Sequence, residues 1–212
     1  MNASGMTNRA QGSGVCRVSA AFALCMATVL QVGCASAPVE ETNQMSITPE
    51  DCEQVEALLL DPAFATIPEA GNVWSYRQHA GDQSFSVQVI DGQLDFERIA
   101  DEPWAIIVQT ITDPRLSGRT VRYSAALKGD VSEDVSHAFG AKAGLWLRLG
   151  PRPDANMADH EPNVGQWDWQ RVSVEAKVPE VFDSVEVGLL YQGGEGVMSA
   201  RLPKFELADC TS

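Results

Sequence analysis

Along most of the chain, apolar residues recur at every second position rather than at every third or fourth. Residues 72–78, 85–90, 94–99, 105–111, 120–128, 143–149, 170–178, 184–191 and 196–207 carry this period, with Gly-, Pro-, Asn- and Asp-containing turns between them. Each reads as a β-strand. Asp91-Gly92, between the second and third, is a two-residue hairpin signal. Only residues 48–60 carry a helical stripe. There Cys52, Val55, Leu58 and Leu59 share a face, Thr48 and Pro49 form an N-cap and first helical position, and Asp51 makes the first turn acidic. A helix is expected, ending before Pro62. Many short strands after one short N-terminal helix predict an all-β fold, a jelly-roll β-sandwich over about 72–208 within one domain of residues 48–212. No internal repeat or low-complexity tract interrupts it.

The chain ahead of that domain follows other rules. No acid occurs before Glu40, and Arg9 and Arg17 are the only charges preceding it. Residues 18–30 (VSAAFALCMATVL) are an unbroken, weakly polar to apolar run. A membrane-spanning helix needs about 20 such residues, so the run suits the hydrophobic part of an export signal. Gln31-Val32-Gly33-Cys34-Ala35-Ser36 follows. Small residues before a cysteine resemble the lipobox of bacterial lipoproteins. That resemblance implies removal of residues 1–33 and lipid on Cys34; with no Asp after Cys34, it implies the outer membrane. One position departs from the pattern: Gln31 stands where Leu is usual, with Leu30 one place early. The alternative is ordinary cleavage after Ala37, ahead of Pro38, giving a periplasmic or secreted protein. Residues 34–47, small, polar and acidic, read as a tether.

Charge narrows the partners. Among 212 residues, 15 Lys+Arg face 29 Asp+Glu, a net charge of −14. A nucleic-acid binder needs a basic face and anionic headgroups attract cations; this balance argues against both, leaving the lipid anchor as the membrane contact. The leader holds two of the bases and no acid, so the body is near −16. At 44% hydrophobic residues the chain has ample material for a core. Cys16 and Cys25 leave with the leader, and Cys52 and Cys210 remain near the two ends of the domain. In an oxidising compartment a Cys52–Cys210 disulfide is expected; a metal pair would lack nearby His or Cys ligands.

Several strings resemble a known family. Val108-Gln109, then residues 116–125 (LSGRTVRYSA) and Lys128, look like the "Q … G-x-x-V/Y-x-x-S-x-x-x-K" core of galactose-binding-like jelly rolls, the carbohydrate-binding-module type of sandwich. Residues 143–149 (AGLWLRL), Asp168-Trp169-Gln170 with Val178-Pro179, and Val187-Gly188-Leu189-Leu190 with Gly193 and Gly196 also fit. The resemblance implies a sugar-binding sandwich. It fails at residues 197–202 (VMSARL), where Ala200 and Arg201 replace an acidic pair.

Alternation within strands places side chains independently of any family. Trp146 and Arg148 oppose Leu145, Leu147 and Leu149; Ser124 opposes Tyr123 and Ala125; Glu186 and Gln192 oppose Val187 and Leu189; Gln109 lies on the face of Ile107 and Ile111. If the second faces belong to one sheet, Gln109, Ser124, Trp146, Arg148, Glu186 and Gln192 form an aromatic platform beside planar hydrogen-bonding groups, as sugars require. In the competing reading, Trp146 and Arg148 cover the sheet and Arg148 pairs with Glu186. Trp167 falls in the long loop 150–168, which is expected to overhang one edge of the sandwich and adds a further binding candidate. Trp169 reads as a core anchor, and Trp74 and Trp104 as packing.

Catalytic signatures are not found. His79, His137 and His160 are too scattered for a metal pair or a triad. Asp154, Asp159 and Glu161 around His160 lack the spacing and Gly of a calcium loop and read as a solvated loop. No nucleophile elbow, P-loop or dinucleotide fingerprint occurs, and no metal or cofactor is expected. Three functions remain: a non-catalytic envelope lipoprotein that binds a glycan, a lipoprotein that docks another envelope protein, and, least favoured, a jelly-roll hydrolase or lyase.

Overall fold

The computed structural model describes residues 47–67, 73–135, 139–150 and 164–210. The export signal, Cys34, the tether up to residue 46, His137, and the acidic loop with Asp154, Asp159, His160 and Glu161 lie outside the described residues.

One helix and nine strands stand among the described residues: α1 (Pro49–Glu56), β1 (Ser75–Gln78), β2 (Phe85–Ile90), β3 (Gln93–Arg98), β4 (Ala105–Ile111), β5 (Thr120–Val131), β6 (Lys142–Leu149), β7 (Gly165–Lys177), β8 (Val185–Gln192) and β9 (Gly196–Leu207). A 3₁₀ turn at Pro114–Leu116 was not visible in the periodicity. The strands form two antiparallel sheets, ordered β1-β4-β8-β6 and β2-β3-β9-β5-β7. The chain passes repeatedly from one sheet to the other, the winding of a jelly roll.

Local chemistry explains the element ends. Thr48 caps α1: its hydroxyl accepts from Asp51 N–H at 3.2 Å while the Asp51 carboxylate accepts from Thr48 N–H at 2.9 Å. The helix ends at Glu56, earlier than the expected 60; Val55 within it and Leu59 in the turn that follows are buried in the core. After it, Asp61 turns the chain by accepting from Ala65 and Thr66 N–H, both at 2.8 Å. Phe64 thereby packs against Trp74, centroids 5.0 Å apart. Asp91 and Gly92 take φ of 51° and 74°, closing the β2–β3 hairpin between paired Ile90 and Gln93. Both residues need the left-handed region for such a turn.

The two inner faces meet in a core that includes a Phe85–Phe96–Tyr191 triangle with centroids 5.4 to 5.7 Å apart. Cys52 on α1 and Cys210 after β9 form the expected disulfide, Cα atoms 5.8 Å apart across 158 positions. It ties the helix to the last strand.

Candidate functional site

The four-stranded sheet gathers part of the predicted platform on its outer face. Trp146 stands opposite Gly188, Arg148 opposite Glu186, and Lys142 opposite Gln192. Here the charged groups and Gln192 are already engaged, while Trp146 Nε1 and Arg148 Nε are buried without a hydrogen-bond partner. Glu186 accepts from Arg77 Nη2 at 2.8 Å and from Arg148 Nη1 at 3.3 Å, and Gln192 Nε2 donates to the Phe139 carbonyl at 2.7 Å. Trp146 and Trp104 pack on Ile106, Val108 and Leu190, a small apolar cluster separate from the main core.

The other three predicted residues lie elsewhere. Gln109 points inward, 4% exposed, and clamps the end of the helical segment: its Oε1 accepts from Leu60 N–H at 2.8 Å and its Nε2 donates to Leu60 O at 2.7 Å. Strand β4 is apolar on both faces, so alternation alone did not say which face is the inner one. Ser124 is on β5 in the five-stranded sheet, and its hydroxyl accepts from Arg171 Nη2 at 2.8 Å. Trp167, expected in a loop, is in β7 opposite Gly129 and packs against the main core. Six predicted residues thus divide among three surfaces.

Two bulges shape the outer face of the five-stranded sheet. Between Leu127 and Gly129 the register with β7 slips by one, so Asp168 and Trp169 both stand opposite Lys128. This turns Trp167 inward and Trp169 outward. Trp169 is therefore not the core anchor its position suggested; the Arg201 guanidinium lies 4.1 Å above its ring centroid. A second slip, between Ser124 and Ala126 against β9, coincides with Leu202 at φ 53°. Leu202 is pushed to 66% exposure while Pro203 is buried.

Beside this bulge opens a cleft of about 930 Å³. Its floor carries Gln93, Asp95, Arg171 and Arg201; Ile90 and Leu202 form an apolar rim, and Pro62 and Ala63 a wall. Asp95 accepts from Gln93 Nε2 at 2.8 Å and from Ser199 Oγ at 2.6 Å. A second hollow of about 360 Å³ is lined by Lys128, Gln166, Asp168, Val197, Ser199 and the predicted binding residue Trp167. None of Trp169, Arg171, Asp95 or Leu202 was singled out for binding from sequence, and Arg201 was noted only as a departure from a motif. Alternation through β9 does place Ser199 and Arg201 together, opposite Met198 and Ala200; the bulge at Asp168–Trp169 had no such signal.

An ion network borders the cleft. Lys204 Nζ lies 2.7 Å from Glu206 Oε2 and 3.6 Å from Glu56 Oε2, and Glu206 also meets Arg122 Nη1 at 3.3 Å. Burial pushes the Glu206 carboxyl up, but the hydrogen bonds and charges of Lys204 and Arg122 outweigh it and leave its pKa below 4.5. Lys204 is raised above 10.5, mainly by its bond to Glu206. A carboxyl lowered on folding stabilises above its unfolded pKa and loses that contribution as pH falls through the folded value. Unfolding midpoints should therefore fall as pH drops through and below 4.5, and Glu206→Gln should flatten that acid limb. An unchanged limb in the variant would count against the network's role.

Two stacked antiparallel sheets with a cleft on the open face of one define the class: a jelly-roll β-sandwich. No family model and no curated protein matches the chain. Among solved structures the chain is similar to CBM4, at 15% identity and a TM-score of 0.49 over 70% of this chain and 99% of that one. It is also similar to the CBM22-1 xylan-binding domain from Paenibacillus barcinonensis, at 14% identity and a TM-score of 0.41 over 65% of this chain and 87% of that one. The enzymatically active domain of tailspike protein 4 from bacteriophage CBA120 matches at 14% identity and a TM-score of 0.46; the match covers 64% of this chain but only 19% of the tailspike chain.

Proposed function

We propose that the domain is a non-catalytic glycan-binding module, carried on an exported envelope protein, and that its ligand lies in the cleft on the five-stranded sheet. The observation that carries this reading is the cleft's mixed lining. Planar donors and carboxylate acceptors, Arg201, Arg171, Gln93 and Asp95, share one hollow with the exposed apolar side chains of Ile90 and Leu202. Sugars present the matching chemistry: hydroxyls in fixed directions and apolar C–H faces. On the four-stranded sheet the charges pair with one another and Gln192 is held by the Phe139 carbonyl, whereas in the cleft Arg201 has only a ring contact among the described residues. We therefore read Trp146 and Arg148 as that sheet's cover.

Affinity gel electrophoresis of the full-length chain against neutral and acidic plant, algal and bacterial polysaccharides tests the reading. Retardation by at least one polymer is expected, weakened about tenfold or more by Arg201→Ala and unchanged by Trp146→Ala. The reverse pattern would move the ligand to the four-stranded sheet; no retardation by any polymer would overturn glycan binding.

The leader and residues 31–36 support export with lipid on Cys34 and, with no Asp after Cys34, the outer membrane. Mass spectrometry of the mature chain decides this: a first residue of lipidated Cys34 is expected, and one of Pro38 would replace lipidation by simple secretion.

A further inference from the structure

Acids outnumber bases by 29 to 15 in this chain, so a cation without an acidic partner is unexpected. Four of the eight described arginines conform: Arg77 and Arg148 share Glu186, Arg115 holds Asp113, and Arg122 holds Glu175 and Glu206. Of the other four, Arg98 donates to the Ala100, Gly193 and Asp101 carbonyls at a sheet end, and Arg119 Nη2 is buried without a hydrogen-bond partner. The remaining two lie on the open face of the five-stranded sheet. Arg201 has only the Trp169 ring as a partner among the described residues. Arg171 donates to neutral oxygens, Leu202 O at 3.2 Å and Ser124 Oγ at 2.8 Å.

Their placement makes the pair more telling. Ala126 of β5 is in register with Arg171 of β7 on one side and Arg201 of β9 on the other. Two guanidinium groups thus flank a small side chain, about two strand spacings apart, roughly 10 Å between backbones. Both line the 930 Å³ cleft. Like charges so arranged repel each other, and among the described residues no carboxylate is paired with either of them.

The contact with Trp169 also restrains Arg201. Its guanidinium carbon lies 4.1 Å above the indole centroid, within cation–π range. The guanidinium N–H donors form the fork that matches a carboxylate with two parallel hydrogen bonds. The ring contact narrows the positions open to the Arg201 side chain before a ligand arrives.

The acids at the cleft are placed differently. Asp95 is turned to Gln93 and Ser199, Glu56 faces Lys204, and exposed Asp91 stands at the hairpin turn on the outer wall. Asp91 and Asp95 retain acceptor capacity for hydroxyl groups.

We infer that the cleft takes a uronic-acid-containing glycan, with the sugar carboxylate bound by Arg201 where Trp169 holds it. The inference rests on the glycan-binding reading above and names the sugar class. A uronic acid carries on one ring a carboxylate for Arg201 and Arg171, hydroxyls for Asp91 and Asp95, and a C–H face for Ile90 and Leu202. A bare phosphate or sulfate supplies only the first of these.

The test uses the full-length chain in affinity gels containing polygalacturonate, alginate or glucuronoxylan, each beside its carboxyl-reduced counterpart. Reduction turns the carboxylate into a hydroxymethyl group and leaves the ring hydroxyls in place. At least one acidic polymer is expected to retard the protein, its reduced counterpart at least tenfold less. Arg201→Gln and Trp169→Ala should each weaken retardation at least tenfold, and Arg201→Lys should not restore it. Circular dichroism melts of each variant separate loss of binding from loss of fold. Equal retardation by reduced polymers or by neutral xylan would overturn the acidic-sugar inference and leave glycan binding standing. Competition by inorganic phosphate as strong as by free galacturonate would overturn it in favour of a general anion site. Retardation by no polymer at all would overturn both.

Discussion

Reduction of the Cys52–Cys210 bridge lowers the thermal midpoint of the domain by about 6–12 °C, and Cys52→Ser with Cys210→Ser reproduces the loss. The bridge closes a loop of 158 positions. For a loop of that length the chain-entropy model gives roughly 5 kcal/mol, while measured disulfides are typically worth about 2–4 kcal/mol. A value near 3 kcal/mol moves the midpoint of a domain this size by about 2–4 °C per kcal/mol. The damage has a location too. Helix α1 has eight residues, well short of the about 12–15 at which an isolated helix becomes even marginal. Without the bridge the helical segment retains Val55 and Leu59 in the core, the Glu56–Lys204 pair at 3.6 Å, a hydrogen bond from Arg115 to Gln54 and the clamp of Leu60 by Gln109. Amide exchange in α1 should rise before that in β5 or β8. Melting with and without reductant, followed by exchange, checks both statements. A midpoint shift below about 2 °C would mean that packing alone holds the chain ends.

How much of this was readable in the sequence depends on what each signal encodes. Period-two alternation encodes strands, and it located all nine of the described ones. The Asp91-Gly92 turn encodes a register, and Ile90 pairs with Gln93 as it requires. Two cysteines left over in an exported chain encode a bridge. Alternation does not encode which sheet a strand joins. Ser124 and Trp146 each follow their own strand's alternation, yet the jelly-roll winding sends β5 and β6 to different sheets. Nor does it say which face is buried when both are apolar, as in β4, so Gln109 was counted with the outer set although its sequence neighbours Ile107 and Ile111 are core. A bulge defeats the method altogether. Trp167 and Trp169 are two apart and should share a face, but the extra residue opposite Lys128 puts them on opposite faces.

The same distinction explains the candidate site. Long-range pairings, Arg201 with Trp169 and Arg171 with Ser124, are made by strand register across β9, β5 and β7 and leave no trace in local sequence. Their chemical types were legible only as scattered residues. The Glu186–Arg148 pair was foreseeable because β6 and β8 each alternate cleanly and are neighbours in the sheet.

Gly188→Ala destabilises the domain by about 3 kcal/mol or more, the upper range of what overpacking costs. Gly188 is in β8, a central strand between β4 and β6, opposite Val108 on one side and Trp146 on the other. Its backbone approaches β4 so closely that an added methyl would overlap the Ile107 carbonyl oxygen and stand 2.8 Å from Val108 Cα. The obstacle is backbone on a paired strand, which a rotamer change does not relieve. Relief requires β4 and β8 to part, and that strains the ladder from Ala105–Tyr191 to Ile111–Val185. It also lifts Val108 out of the packing that Trp146 and Leu190 share with it. Urea unfolding measures the change, with a midpoint drop at unchanged slope expected for a two-state loss of stability. A loss under about 1 kcal/mol would show that the sheet has room at this crossing. The cleft is on the other sheet, so the fraction of Gly188→Ala protein that remains folded should bind as the parent does, and its failure to do so would show that the two sheets are coupled through the core between them.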